Sequence, residues 1–208
     1  LRKRFLGTHF FNPPRYMRPI ELVPTPLTYR AVMADFQDFA EQILGKSVVV
    51  ARDTPGFIST RLGMWSLMKS LKLGIESGLT VEEIDYWSGP IIGRPKTGTY
   101  RLADLIGLDI VVKIHENLQT SLPDDKWYQG LQLPQVLQSL AAKGYTGAKS
   151  GSGFYQRQTN GDVFTLDLKH GDYTQRIAIP GNTDLESLDL KSRLKMIVCN
   201  PTTTGQRF

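Results

Sequence analysis

The 208 residues suffice for one domain with a sizeable core, or for one domain and part of a second. Hydrophobic residues make up 40% and charged residues 22%, the composition of an ordinary globular protein; the single Cys199 excludes a disulfide framework and a cysteine-rich metal site. No apolar run reaches the about 18 residues of a membrane-spanning helix. The net charge of +5 suits nucleic acid or a phosphate-rich small molecule, or is an excess with no partner; no Lys/Arg stripe interleaved with aromatics stands out.

The basic start "LRKR" and the following "FLGTHFF" are too short, and too soon broken by Asn-Pro-Pro, for a signal peptide. With no initiator Met, the sequence reads as a piece of a longer, cytoplasmic chain. "RFLGTHFF" predicts a strand ending at that Asn-Pro-Pro, and "PIELVP" a second strand between prolines. "TYRAVMADFQDFAEQILGK" has helical spacing at Val32, Phe36, Phe39, Ala40 and Ile43, with Thr28 as cap and Gly45 as stop. "SVVVARD" predicts a third strand, and its continuous apolar run suggests burial on both faces.

The "DTPGF" turn is a plausible hinge. A long helix is predicted from Ile58 to Gly78, with Ile58, Leu62, Trp65, Met68, Leu71 and Ile75 on one face; the aromatic and Met residues of 57–68 read as core. Thr80 and Glu83 form a capping-box pattern. One or two further helices, broken near Gly107, span "TYRLADLIGLDIVVKIHENLQTSL", and another lies in "LPQVLQSLAAKG". "GAKSGSGFY" reads as a tight turn rather than a phosphate cradle. Around Asn160-Gly161 and His170-Gly171-Asp172 the pattern becomes β-like, and "TDLESLDLKSRLKMIVCNP" predicts one more helix.

Chemistry concentrates at His9, inside "GTHFFNPP". Glu21 follows twelve positions later, across a loop that joins two predicted strands, so the two side chains can face each other. A carboxylate beside an imidazole fixes one ring nitrogen as donor, leaves the other as acceptor and favours the protonated ring. That prepares a general base near neutral pH. The spacing alone favours a satisfied core histidine or a chance pair. His115, mid-helix in "KIHEN", reads as a surface or half-buried structural residue, and His170 as a solvated turn residue; no metal site is expected.

Four segments widen the pattern: "GTHFFNPPRYMRPIELVPTPLT", "GKSVVVARDTPGFISTRLG", "IIGRPKTGTYRLADLIGLDIV" and "GAKSGSGFYQ", in this order. Together they resemble the 3-hydroxyacyl-CoA dehydrogenase family. The resemblance implies an NAD-dependent enzyme of fatty-acid β-oxidation that converts (3S)-3-hydroxyacyl-CoA to 3-ketoacyl-CoA. His9 would take the hydroxyl proton, Glu21 would orient His9, and Asn12 would lie near the nicotinamide or the substrate carbonyl. Thr60 stands where the family usually has Asn before Arg; it keeps a hydroxyl but loses the amide's second group.

No G-x-G-x-x-G follows a strand, so the cofactor cradle and the family's catalytic Ser are expected upstream of Leu1, and residues 1–208 alone are expected to be inactive. The implied fold is mainly α. Residues 1–52 would be the last β-β-α-β elements of a truncated Rossmann domain. Residues 53–158 would be a helical domain of the 6-phosphogluconate dehydrogenase C-terminal-like type, lining the acyl side and forming a homodimer. Residues 159–208 would be a polar extension or linker towards a further domain, as in a multifunctional enzyme. Two alternatives are a dehydrogenase of a 3-hydroxy acid without CoA and a degenerate dimerisation or assembly domain.

Overall fold

A computed structural model describes residues 2–129, 131–181 and 183–199. It divides into two compact units, 1–63 and 64–208, each described by itself below. The Asn200-Pro201 end of the predicted last helix lies outside the described residues.

The first unit is a three-stranded sheet backed by a helix. Strand β1 (Leu6–Phe10) runs antiparallel to β2 (Pro19–Pro24), and β3 (Ser47–Val50) lies parallel to β2 on its other side. Side chains alternate faces along a strand. Ile20 and Leu22 of the central strand therefore share one face, where they pack with Ala40, Met33 and Phe36. Glu21 lies on the opposite face and pairs in register with His9 of β1.

Helix α1 (Arg30–Asp38) connects β2 to β3. Its cap is extended Tyr29, not Thr28. The Thr28 hydroxyl is used elsewhere, donating to the Phe5 carbonyl at 2.7 Å. A π-helical turn, Phe39–Ile43, continues α1 and resets the spacing, so Phe39 and Ile43 fall on the exposed side instead of the core. Gly45 ends the segment at φ +63°. Among the described residues β3 pairs with β2 alone and is not buried on both faces: Val49 and Val50 are 43% and 54% exposed.

The second unit begins within α2 (Ser59–Glu76). The buried stripe of α2 is Met64, Leu67, Met68 and Leu71, rotated from the predicted face; Leu62 and Ile75 are exposed. The cause is Gly74, where a Cβ would lie 2.1 Å from the Ile84 side chain. Close approach there to α3 (Val81–Trp87) decides which side of α2 turns inward. Helix α3 starts with the expected capping box between Thr80 and Glu83.

Gly107, at φ +101°, separates α4 (Tyr100–Ile106) from α5 (Leu108–Ser121), and α6 (Gln135–Ala142) follows. These helices share one core with Tyr100, Leu108, Val111, Leu137 and Phe154.

Strands β4 (Tyr155–Arg157), β5 (Val163–Leu166) and β6 (Tyr173–Gln175) form an antiparallel meander about the two predicted turns. The stretch from residue 159 is therefore not a loose linker as far as β6. Leu166 enters the helical core, and Glu82 of α3 accepts hydrogen bonds from the Thr165 hydroxyl and the Ile177 N–H. The single predicted final helix is two, α7 (Thr183–Glu186) and α8 (Leu190–Cys199). Asp189 interrupts it by accepting from the Ser192 N–H and hydroxyl.

Candidate active site

Strand register places His9 and Glu21 opposite each other on the sheet face away from α1. The His9 Nδ1 lies 2.6 Å from Glu21 Oε2. The Glu21 carboxylate is buried and receives three further donors, all from the turn that enters α2. Its Oε1 accepts the N–H groups of Ile58 and Ser59, each at 2.9 Å. Its Oε2 also accepts the Ser59 hydroxyl at 2.6 Å.

Phe57 makes this delivery possible. It takes φ +47°, a region that aromatic residues rarely enter, and the chain there turns the next two N–H groups onto one carboxylate oxygen. The rings of Phe57 and Phe11 flank the imidazole, with centroids 5.8 and 5.7 Å away. Lys46 fastens the loop after β1 by donating to the carbonyls of Pro14 and Met17.

Burial by itself would raise the Glu21 carboxyl. The hydrogen bonds from Ser59 and His9 and the two N–H groups outweigh it, holding the group below its ordinary value of 4.5. Glu21 is thus an anion at neutral pH and can only accept. In a neutral imidazole the proton therefore sits on Nδ1, facing Glu21, and Nε2 carries the lone pair. Among the described residues Nε2 has no hydrogen-bond partner, and the His9 side chain is 37% exposed. A fixed imidazole with one free, accessible lone pair can take a proton.

The other two predicted positions stand apart from this network. Asn12 is exposed in the bend after β1, and Thr60 is half-buried in the first turn of α2. Neither side chain hydrogen-bonds to a described residue. Ser59 was not singled out by the sequence reading, which weighed its neighbour Thr60 instead. The available signal was a hydroxyl residue opening a helix two positions after "PGF".

His115 also departs from expectation. It is fully buried within α5, with neither ring nitrogen hydrogen-bonded among the described residues, and burial lowers its pKa. His170 is exposed and pairs with Asp167, in keeping with a solvated turn. Among the described residues no three His, Cys, Asp or Glu side chains gather as a metal set, and no helix is long and apolar enough to cross a membrane.

Comparison with known proteins gives this arrangement its setting. Residues 1–54 match the family model described as 3-hydroxyacyl-CoA dehydrogenase, NAD binding domain, and residues 56–157 match 3-hydroxyacyl-CoA dehydrogenase, C-terminal domain. The chain belongs to the 3-hydroxyacyl-CoA dehydrogenase family.

Among 3-hydroxyacyl-CoA dehydrogenase relatives, a probable 3-hydroxyacyl-CoA dehydrogenase of Deinococcus radiodurans is 42% identical over 156 residues, covering 75% of this chain and 44% of that protein. Another of that name from Bacillus subtilis is 32% identical over 208 residues, covering 99% of this chain and 26% of that protein. The chain thus spans less than half the length of these curated relatives. The crystal structure of (S)-3-hydroxybutyryl-CoA dehydrogenase PaaH1 from Ralstonia eutropha is similar with a TM-score of 0.63 at 31% identity, over 73% of this chain and 51% of that one.

Proposed function

We infer that the protein is an NAD-dependent dehydrogenase that oxidises the 3-hydroxyl of a (3S)-3-hydroxyacyl-CoA in fatty-acid β-oxidation. The observation that carries this reading is the state of His9: Nδ1 is tied to an anionic Glu21 and Nε2 is left free. When bound, NAD supplies the hydride acceptor, a chemistry that side chains lack. The residues present fit the proton-handling half of that reaction. His9 Nε2 takes the hydroxyl proton as the carbon–oxygen bond becomes a carbonyl. Glu21 holds the ring in place and stabilises the imidazolium that results. Asn12 and Thr60 are assigned to the neighbourhood of substrate and cofactor; their side chains, unengaged by described residues, are available for that role.

The same reading takes residues 1–52 as the end of the nucleotide-binding domain and 53–158 as the helical domain of the 6-phosphogluconate dehydrogenase C-terminal-like type. It is supported by the order of elements and by the two family matches. A cytoplasmic location is proposed alongside it, in keeping with the lone cysteine. A homodimer through the helical domain is supported by exposed Leu102, Leu105, Ile106 and Ile110 on neighbouring α4 and α5. Light scattering of the full-length protein is expected to give twice the protomer mass; a monomer at high concentration removes that part.

The decisive experiment follows NADH absorbance with the full-length protein. Turnover is expected on (3S)-3-hydroxybutyryl-CoA and not on free 3-hydroxybutyrate. Turnover of the free acid in preference to the CoA ester would reassign the substrate. Turnover of neither ester nor acid would leave an assembly role.

A further inference from the structure

Four donors converge on the Glu21 carboxylate, and three come from two consecutive residues, Ile58 and Ser59. The two N–H groups belong to the backbone, so any residue at position 59 that preserves the turn would supply them. The hydroxyl is different. Ser59 Oγ donates to Oε2, the same oxygen that His9 Nδ1 approaches, and lies 3.4 Å from Nδ1 itself. A carboxylate held only at Oε1 could pivot about that anchor and let Oε2 leave the plane of the imidazole N–H. A second bond at Oε2 removes that freedom. The bond is charge-assisted, and Glu21 is buried, so water does not compete on equal terms.

Resting on the dehydrogenase reading above, we propose that Ser59 is a positioning residue of the active site: its hydroxyl locks the Glu21 carboxylate so that the His9 proton stays on Nδ1 and Nε2 stays the free base. The hydroxyl touches neither the reacting atoms nor the free nitrogen. Its effect reaches the reaction through Glu21 and then His9. The lowered pKa of Glu21 accords with this, since the Ser59 hydroxyl is the foremost of the bonds that oppose the effect of burial.

The isosteric pair Ser59→Thr and Ser59→Val isolates the hydroxyl. Both add the same bulk to the first turn of α2, and only Thr can donate. In the full-length protein Ser59→Thr is expected to keep most of the wild-type kcat. Ser59→Val is expected to lose about tenfold in kcat with little change in KM, the cost of a misplaced reacting group rather than of lost binding. Nitrogen-15 shifts of the His9 ring supply a readout independent of turnover. Wild type and Ser59→Thr should show a protonated Nδ1 and an unprotonated Nε2. In Ser59→Val the two nitrogens should move towards a shared, averaged state.

Equal kcat and equal ring shifts in the Thr and Val variants would overturn the proposal. A KM rise without a fall in kcat would do so too, because it would place Ser59 in substrate binding. If the wild-type protein shows no dehydrogenase turnover, the functional reading fails, and the ring shifts alone still decide whether Ser59 sets the His9 proton.

Discussion

Two buried carboxylates, one in each compact unit, are driven in opposite directions. Glu21 sits below its ordinary pKa, whereas Asp104 of α4 is pushed up to about 6. Burial raises both, and both accept two backbone N–H groups: Glu21 those of Ile58 and Ser59, Asp104 those of Phe154 and Tyr155. The difference lies in the depth of desolvation, greater at Asp104, and in what else is near. Glu21 also receives a hydroxyl and an imidazole N–H. Among the described residues Asp104 has no such extra donors; the Asp85 charge raises it further and the Arg101 charge opposes this, and Asp85 is itself buried and raised by desolvation. Burial alone therefore says little about a carboxylate's job. The balance between desolvation and donors decides the outcome: Asp85 accepts a hydroxyl and backbone N–H groups and is raised all the same, because desolvation outweighs them there.

The comparison is broken most severely at Glu21. Glu21→Gln keeps the size but removes the anion, and the amide group can no longer enforce Nδ1 as the donor. Turnover of the full-length protein should fall on the order of 10²–10⁴-fold, and the thermal transition should fall with it, because one of the two amide positions would face donors that the carboxylate now accepts. Retained activity would mean that His9 needs no carboxylate.

Asp85→Ala probes the structural side. Asp85 accepts from the Tyr100 and Arg101 N–H groups and from the Tyr155 hydroxyl at 2.6 Å. Leaving such donors unpaired inside the helical core should cost about 2–4 kcal/mol, read as a lower urea midpoint. An unchanged midpoint would show that water replaces the carboxylate.

The smallest effect concerns pH. The folded pKa of Asp104, about 6, stands above its ordinary 3.8, so its contribution to stability is fully present below the lower value and is lost as pH rises through the upper one. Glu21 has the opposite sign: its contribution is present above 4.5 and is lost as pH falls through its lowered folded value. Asp104→Asn removes one titration. The stability difference between wild type and this variant should shift against wild type between about pH 4 and pH 6 and then level off. A difference independent of pH would show that Asp104 does not titrate in that range.

Local signals in the sequence carried far. Proline-bounded strands, the Thr80–Glu83 capping box and the Gly107 break are written in short windows, and each lies where the pattern puts it. The His9–Glu21 pair was legible for the same reason: two strands joined by one loop bring residues at that spacing into register. Features made by distant contacts were not. The inward side of α2 depends on Gly74 meeting Ile84. The exposure of Val49 and Val50 goes with β3 having one strand neighbour among the described residues. Ser59 joins the site only because Phe57 takes a positive φ, which no periodicity announces. Asp85 and Asp104 were not singled out in the sequence, and Asp104's N–H partners arrive from about 50 residues away.

The anchoring of the β4–β5–β6 meander has a further consequence. The tip at Asn160, Gly161 and Asp162 is exposed, the kind of place where a protease enters first. Yet β4 and β5 are joined across that tip by their ladder, Leu166 is embedded among the helices, and Glu82 grips both Thr165 and Ile177. A chain cut at the tip would therefore not fall apart. It would persist as two covalently separate pieces behaving as one body, and only denaturant would reveal the scission.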